Sequence, residues 1–288
     1  MKTIIGLSIL VACLAAFSAG AGLFSSGGEG AFTVSTIRGE EAELYGRGLY
    51  RNDSAFKAPI LRGTDAATFF AALPLLIVSI MGARRGSVRW RMLLAGVLSY
   101  FLYNSASLLF GSAYNSLMPV YIPYFSASLY SFLLVFSGIG ASSLEGRILP
   151  SFPRKRVAVF LFIASASLLV WIPDIIASAL GGGVPAHLGP YTTEATYGLD
   201  LGVILPSAIL AGLLVLRRPA AGAALATVLL ILEALIGVAV ASQTVVQVLD
   251  GIILAPVQFA AFVVPFVAMS GFSVYLAASV LRAVRAEA

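Results

Sequence analysis

The chain has 288 residues, of which 59% are hydrophobic and 11% charged, and its mean hydropathy is +0.97. A soluble domain of this length needs far more charge to cover its surface, so the expected class is an all-α integral membrane protein with the lipid bilayer as its main partner. The formal charge of +5 sits at the ends of apolar runs rather than in one patch, which argues against nucleic acid, and a single Cys and a single His exclude an internal disulfide and leave no material for a zinc, haem or iron–sulfur cofactor.

A span needs about 20 mostly apolar residues to cross about 30 Å of hydrocarbon. Eight runs qualify. The first, 3–23, follows Met1-Lys2; Ala19-Gly20-Ala21 beyond it also suits a cleaved signal peptide, which would leave seven helices in the mature chain. Leu10-Val11-Ala12-Cys13 matches a lipoprotein box in letters, but the chain stays apolar past Cys13. A polar loop, 24–64, leads to a span at 66–82 that contains Pro74 and exits at Arg84-Arg85-Gly86. Spans at 92–112 and 121–142 follow, then a basic segment, 149–156. The span 157–180 carries Pro173-Asp174 and is followed by a second polar loop, 181–200, with the lone His187. The spans 201–216, with Pro206 and an Arg217-Arg218-Pro219 exit, and 220–241 come next; the last run, 252–281, is long enough to be tilted or broken near Pro265.

Charge sets an orientation. With the N-terminus cytoplasmic, 13 basic residues lie in cytoplasmic segments and five (Arg38, Arg47, Arg51, Lys57 and Arg62) outside, as the positive-inside bias requires. Both termini are then cytoplasmic, and the expected location is a prokaryotic cytoplasmic membrane.

The halves resemble each other. Gly63-Thr64-Asp65, Pro74 and Arg84-Arg85 recur as Gly198-Leu199-Asp200, Pro206 and Arg217-Arg218. The expected organisation is two parallel four-helix repeats, 1–148 and 157–288, joined by the linker 149–156. Asp65 and Asp200 each stand where a helix is expected to begin, which suits N-capping; a paired role at an outer mouth is the sharper alternative.

Two carboxylates interrupt apolar runs: Glu233, outward of the midplane, and Asp174, beside Pro173. With no basic residue inside a span, each is expected to be neutral, hydrogen-bonded, or bound to a monovalent cation. Tyr100, Tyr103 and Asn104 form a polar stripe deep in the third span, and Tyr124, Ser128 and Ser131 a second one in the fourth. Near the outer boundary, Tyr114, Tyr121 and Tyr124 also fit an aromatic belt. In the first loop, Leu49-Tyr50-Arg51-Asn52-Asp53 mixes aromatic, basic and acidic residues and is expected to pack over the outer mouth, making Tyr50, Arg51 and Asp53 candidates.

Known membrane chemistries lack their groups. The only lysines, Lys2, Lys57 and Lys155, are misplaced for a retinal Schiff base, and no membrane His is present for a rhomboid-type pair. Glu40-Glu41 with Arg47 is too widely spaced for a CAAX protease, and Tyr197-Gly198-Leu199-Asp200 departs from the presenilin-type pattern. No phosphate-binding loop occurs, so no catalytic or metal-binding residue is assigned. The stretches Leu49-Tyr50-Arg51-Asn52-Asp53, Gly63-Thr64-Asp65, Tyr103-Asn104, Leu199-Asp200-Leu201-Gly202 and Arg217-Arg218-Pro219 resemble those of a group of bacterial polytopic membrane proteins of unknown function. That resemblance implies a bacterial or archaeal membrane and names no chemistry.

The expected function is a small-solute or ion-coupled transporter, or a membrane binding protein, with an outward-facing site between the repeats. The alternatives are a scaffold or sensor whose outer loops bind a partner and, less favoured, a lipid-modifying enzyme.

Overall fold

A computed structural model describes residues 1–185, 188–253 and 255–285; His187 lies outside the described residues. Among these are eight helices long and apolar enough to cross a membrane: α1 (Lys2–Phe24), α2 (Lys57–Ala83), α3 (Val88–Gly111), α4 (Met118–Ser137), α5 (Arg154–Gly181), α6 (Ala195–Arg217), α7 (Pro219–Leu249) and α8 (Val264–Arg282). This is the build of a multi-pass membrane protein. Large apolar side chains such as Phe17, Phe70, Met81, Ile163 and Phe272 are exposed around the bundle, as lipid-facing residues would be.

Four helices change pitch where the sequence places proline. Pro74 and Pro206 follow π-helical turns at Thr68–Ala72 and Asp200–Ile204, Pro265 follows one at Phe259–Val263, and Pro173 follows a 3-10 turn at Leu168–Trp171. A proline ring lacks the N–H donor and displaces the carbonyl four residues earlier, so the preceding turn widens or tightens. The expected break near Pro265 takes this form.

Helix α1 packs on α2 and α4, and α3 packs on the same two, closing a four-helix ring. Helix α7 is the hub of the second half: it contacts α6 and α8, and also α2 and α3 across the middle of the molecule. At the α2–α7 crossing a Cβ on Gly63 would strike the Gln243 backbone, so only glycine allows this approach, and Gln243 Nε2 donates to Thr64 Oγ1 at 2.8 Å.

The arginine-rich end closes on itself. Leu149 N–H donates to Ala283 O, and Arg285 N–H to Arg147 O, both at 2.9 Å, tying the 149–156 segment to the end of α8. At the opposite end the first polar loop is folded. It holds a hairpin, β1 (Phe32–Ser35) antiparallel to β2 (Glu41–Leu44), that hydropathy reading alone had not indicated.

Two helices begin earlier than expected. Helix α2 starts at Lys57, so Asp65 lies two turns inside it; α6 starts at Ala195, where Glu194 Oε1 accepts from Thr196 N–H at 3.2 Å. Asp65 and Asp200 are therefore not N-caps. Their charged and polar neighbours had made these first turns read as loop.

Candidate functional site

Tyr50 is carried inward by a compact turn in which Asp53 N–H donates to Tyr50 O, Tyr45 N–H to Asp53 O and Gly46 N–H to Arg51 O. The turn buries Tyr50 and Asp53 and leaves Arg51 exposed, so Arg51 does not join them. The Tyr50 hydroxyl donates to Asp65 Oδ2 at 2.6 Å, and both residues are 1% exposed. Asp65 Oδ1 has no hydrogen-bond partner. Helix α1 covers this pair so closely that a Cβ on Gly22 would overlap the Asp65 carboxylate.

Inward of Asp65 the polar groups continue. Thr68 Oγ1 and the Tyr100 hydroxyl are 2.9 Å apart, and Asn104 Nδ2 donates to Thr68 Oγ1 at 3.4 Å and to the Tyr124 hydroxyl at 3.3 Å. Tyr121 and Tyr124 are fully buried here, which corrects the aromatic-belt reading of both; Tyr114, 76% exposed, is at the surface. The Tyr121 hydroxyl and Ser128 Oγ lack hydrogen-bond partners. One chamber, walled by α1, α2, α3, α4 and the loop, thus gathers Tyr50, Asp65, Tyr100, Asn104, Tyr121 and Tyr124.

A second chamber lies on the other side of α3. Tyr103 donates to Asp200 Oδ1 at 2.8 Å, and Trp171 Nε1 to Oδ2 at 3.0 Å. The Trp171 ring lies 5.5 Å from that of Tyr197, tilted by 38°, and the Tyr197 hydroxyl donates to Asp174 Oδ2 at 2.6 Å. Glu233 is close enough to Asp200 for their charges to interact. It lines a cavity of about 20 Å³ with Phe160, Leu168, Ile204 and Leu232, and its Oε1 has no hydrogen-bond partner. That volume suits one water molecule. Among the described residues no Lys or Arg forms an ion pair with Asp65, Asp200 or Glu233.

The five candidates Tyr100, Tyr103, Asn104, Asp174 and Glu233 therefore divide between two chambers, with α3 supplying Tyr100 and Asn104 to one and Tyr103 to the other. Replacing Trp171 by phenylalanine is expected to cost about 1–3 kcal/mol, because a buried carboxylate oxygen loses its donor. Thermal unfolding in detergent reads this, and the same change in an Asp200→Asn background should cost less.

Above the first chamber is a crevice of about 210 Å³ whose lining includes Gly22, Tyr45, Arg47, Tyr50, Arg62 and Asp250. Arg62 Nη1 donates to the Tyr45 hydroxyl at 2.7 Å and to Asp250 Oδ2 at 3.2 Å; Tyr45 donates to the same oxygen at 2.9 Å. Burial, then the Asp250 hydrogen bond, raise the Tyr45 phenol above its ordinary range.

A clasp joins the two polar loops. Asp53 Oδ1 accepts from Ala113 N–H and from the Tyr191 hydroxyl, each at 2.8 Å, while Oδ2 has no hydrogen-bond partner. Burial pushes the Asp53 carboxyl up to about 6, and burial with Asp53 alongside raises the Tyr191 phenol. Lys57 lies 4.3 Å from the Tyr191 ring centre and 3.2 Å from Glu194, and Arg38 donates to the Tyr191 and Gly189 carbonyls.

Comparison with known protein families, with curated proteins and with solved structures finds no match.

The sequence pattern missed Trp171, Tyr191, Tyr45 and Gly22 as site residues. The Trp-Ile-Pro-Asp run offered a signal for the first. The others had none, because their partners are distant in the chain.

Proposed function

We propose that this protein is a carrier or binding protein for a small polar solute in a prokaryotic cytoplasmic membrane, with both termini cytoplasmic. The observation that carries this reading is the polar crevice at the loop end, lined in part by Tyr50, whose hydroxyl donates to the buried Asp65. Arg62 on α2 and Asp250 at the end of α7 present opposite charges to it, which suits a solute bearing both hydrogen-bond donors and acceptors. The arginines at the opposite end support the orientation by the positive-inside bias.

Two four-helix repeats form part of this proposal. Supporting them, α2 and α6 each hold a π-helical turn followed by Leu-Pro, 132 residues apart at Pro74 and Pro206. Aligned on these prolines, Asp200 corresponds to Thr68 rather than to Asp65 as the Gly-x-Asp stretches suggest, and each of the two meets a tyrosine of α3.

Thermal unfolding against a panel of amino acids, monosaccharides and nucleosides tests the reading. At least one compound should stabilise the wild type by mass action, and Arg62→Ala should abolish that response. A panel with no stabilising member, or a response indifferent to Arg62→Ala, counts against the crevice. A scaffold or sensor is the second reading, favoured by the 81% exposure of Ile37 on the hairpin turn; crosslinking from that position should then capture one discrete partner.

A further inference from the structure

We propose that Asp65 is the protein's proton-binding carboxyl, loaded from the crevice through the Tyr50 hydroxyl. The use of that proton to drive solute movement rests on the carrier reading above; its binding does not.

The argument begins with what surrounds the carboxyl. Asp65 is wholly enclosed, one of its oxygens accepts from Tyr50, and the other is unpartnered. An ionised carboxylate with one hydrogen bond and no adjacent cation is costly in such a place. A metal ion would relieve that cost, but α1 leaves no room on the Oδ2 side: even a methyl group at Gly22 would overlap the carboxylate and come within 2.9 Å of the Tyr50 hydroxyl. A proton needs no such space.

Each element packed against Asp65 brings a defined set of groups. The loop presents Tyr50 and, beyond it, Asp53; α3 presents Tyr100; α4 presents Tyr121 and Tyr124. From α1 come Gly22 and, one turn away, the unpartnered Ser18, neither of which titrates. On α2 itself Arg62 is the nearest cation, with its guanidinium engaged by Tyr45 and Asp250 in the crevice. Nothing among these neutralises the carboxylate by direct contact: it has a single hydrogen bond, from Tyr50, to offset the loss of water.

The route is short. Tyr50 is one of the residues lining the crevice, and its hydroxyl donates to Asp65, so this one side chain spans the distance between them. A hydronium in the crevice gives its proton to the Tyr50 oxygen while the Tyr50 O–H bond breaks and a new O–H bond forms on Asp65. The net change converts hydronium and carboxylate into water and carboxylic acid, and the phenol is restored. Glu233 has no comparable access, since the walls of its cavity are apolar.

Difference infrared spectroscopy of the purified full-length protein at neutral pH, in H2O and D2O, tests this. The wild type should show a protonated-carboxyl band that Asp65→Asn removes. Tyr50→Phe should keep the band, displaced by loss of its hydrogen bond, with hydrogen–deuterium exchange slowed by an order of magnitude. A spectrum unchanged by Asp65→Asn overturns the proposal, as does a band whose frequency and exchange ignore Tyr50→Phe. The second variant decides the matter alone if the first does not fold. An intact Asp65 band in a protein that binds and moves no solute would remove the carrier reading while the proton site stands; solute binding without the band would do the reverse.

Discussion

Replacing Gly22 by leucine is expected to abolish the stably folded protein. Helix α1 reaches its neighbours at Gly22 with no room to spare, because a Cβ there already meets the Asp65 carboxyl group and the Tyr50 hydroxyl. Neither can move aside cheaply: Tyr50 is held by the 45–53 turn, and Asp65 lies two turns inside α2. Overpacking costs about 1–3 kcal/mol, and parting the Tyr50–Asp65 hydrogen bond about 1.5–3 more. The sum approaches the low end of the ~5–15 kcal/mol by which native proteins are stable. Gly22→Ala should fall between, and Gly6→Leu, on the same helix but facing open space, should be neutral. Size-exclusion profiles and melting temperatures in detergent check the series. Should Gly22→Leu behave like Gly6→Leu, α1 does not dock on Asp65.

Asp53 should make the loop clasp sensitive to pH. Its carboxyl is pushed up to about 6 by burial, against about 3.9 for a free Asp. Because the folded clasp holds the proton more tightly than the open one, its stability is greatest below about pH 4 and falls as pH rises through 6. The loss amounts to about 3 kcal/mol, or roughly a hundredfold in the opening equilibrium. Asp53→Asn should remove this slope while keeping an oxygen for Ala113 and Tyr191. Amide hydrogen exchange of residues 45–54, corrected for intrinsic rates, reads the effect directly. Protection in the wild type that stays flat between pH 4 and 7 would show that Asp53 does not titrate in the clasp.

Both predictions concern the loop end, where the chain departs most from a plain bundle. There Tyr50 and Asp53, three residues apart, face different ways: one reaches down to Asp65, the other across to Ala113 and Tyr191. The same short turn thus carries both the clasp and the Tyr50–Asp65 contact.

The eight helices were legible in the sequence because hydropathy is a local property: about 20 apolar residues in a row need no knowledge of their neighbours. The break expected near Pro265 was likewise legible, since a missing donor acts within one turn, although Pro123 lies inside α4 without one. The polar residues of α3 were legible as a stripe, but their division was not. Tyr100 and Tyr103 are three positions apart, and only the placement of α2 on one side and α6 on the other sends the first to the Thr68 hydroxyl and the second to the Asp200 carboxylate. Tyr121 and Tyr124 show the same limit, because a tyrosine near a boundary fits lipid or a buried polar cluster equally well until the packing of α4 is known. Asp65 and Asp200 looked like caps because polar letters precede them. The tertiary structure extends both helices outward through those letters, since Lys57 and Arg62 find partners at the loop end and can be helical there, and Glu194 caps the first turn of α6. Span count, the break near Pro265 and charge asymmetry thus follow from the chain read locally, whereas the Tyr50–Asp65 pair, the Asp200 chamber and the Asp53 clasp are decided by contacts between residues far apart in sequence, which only close packing brings together.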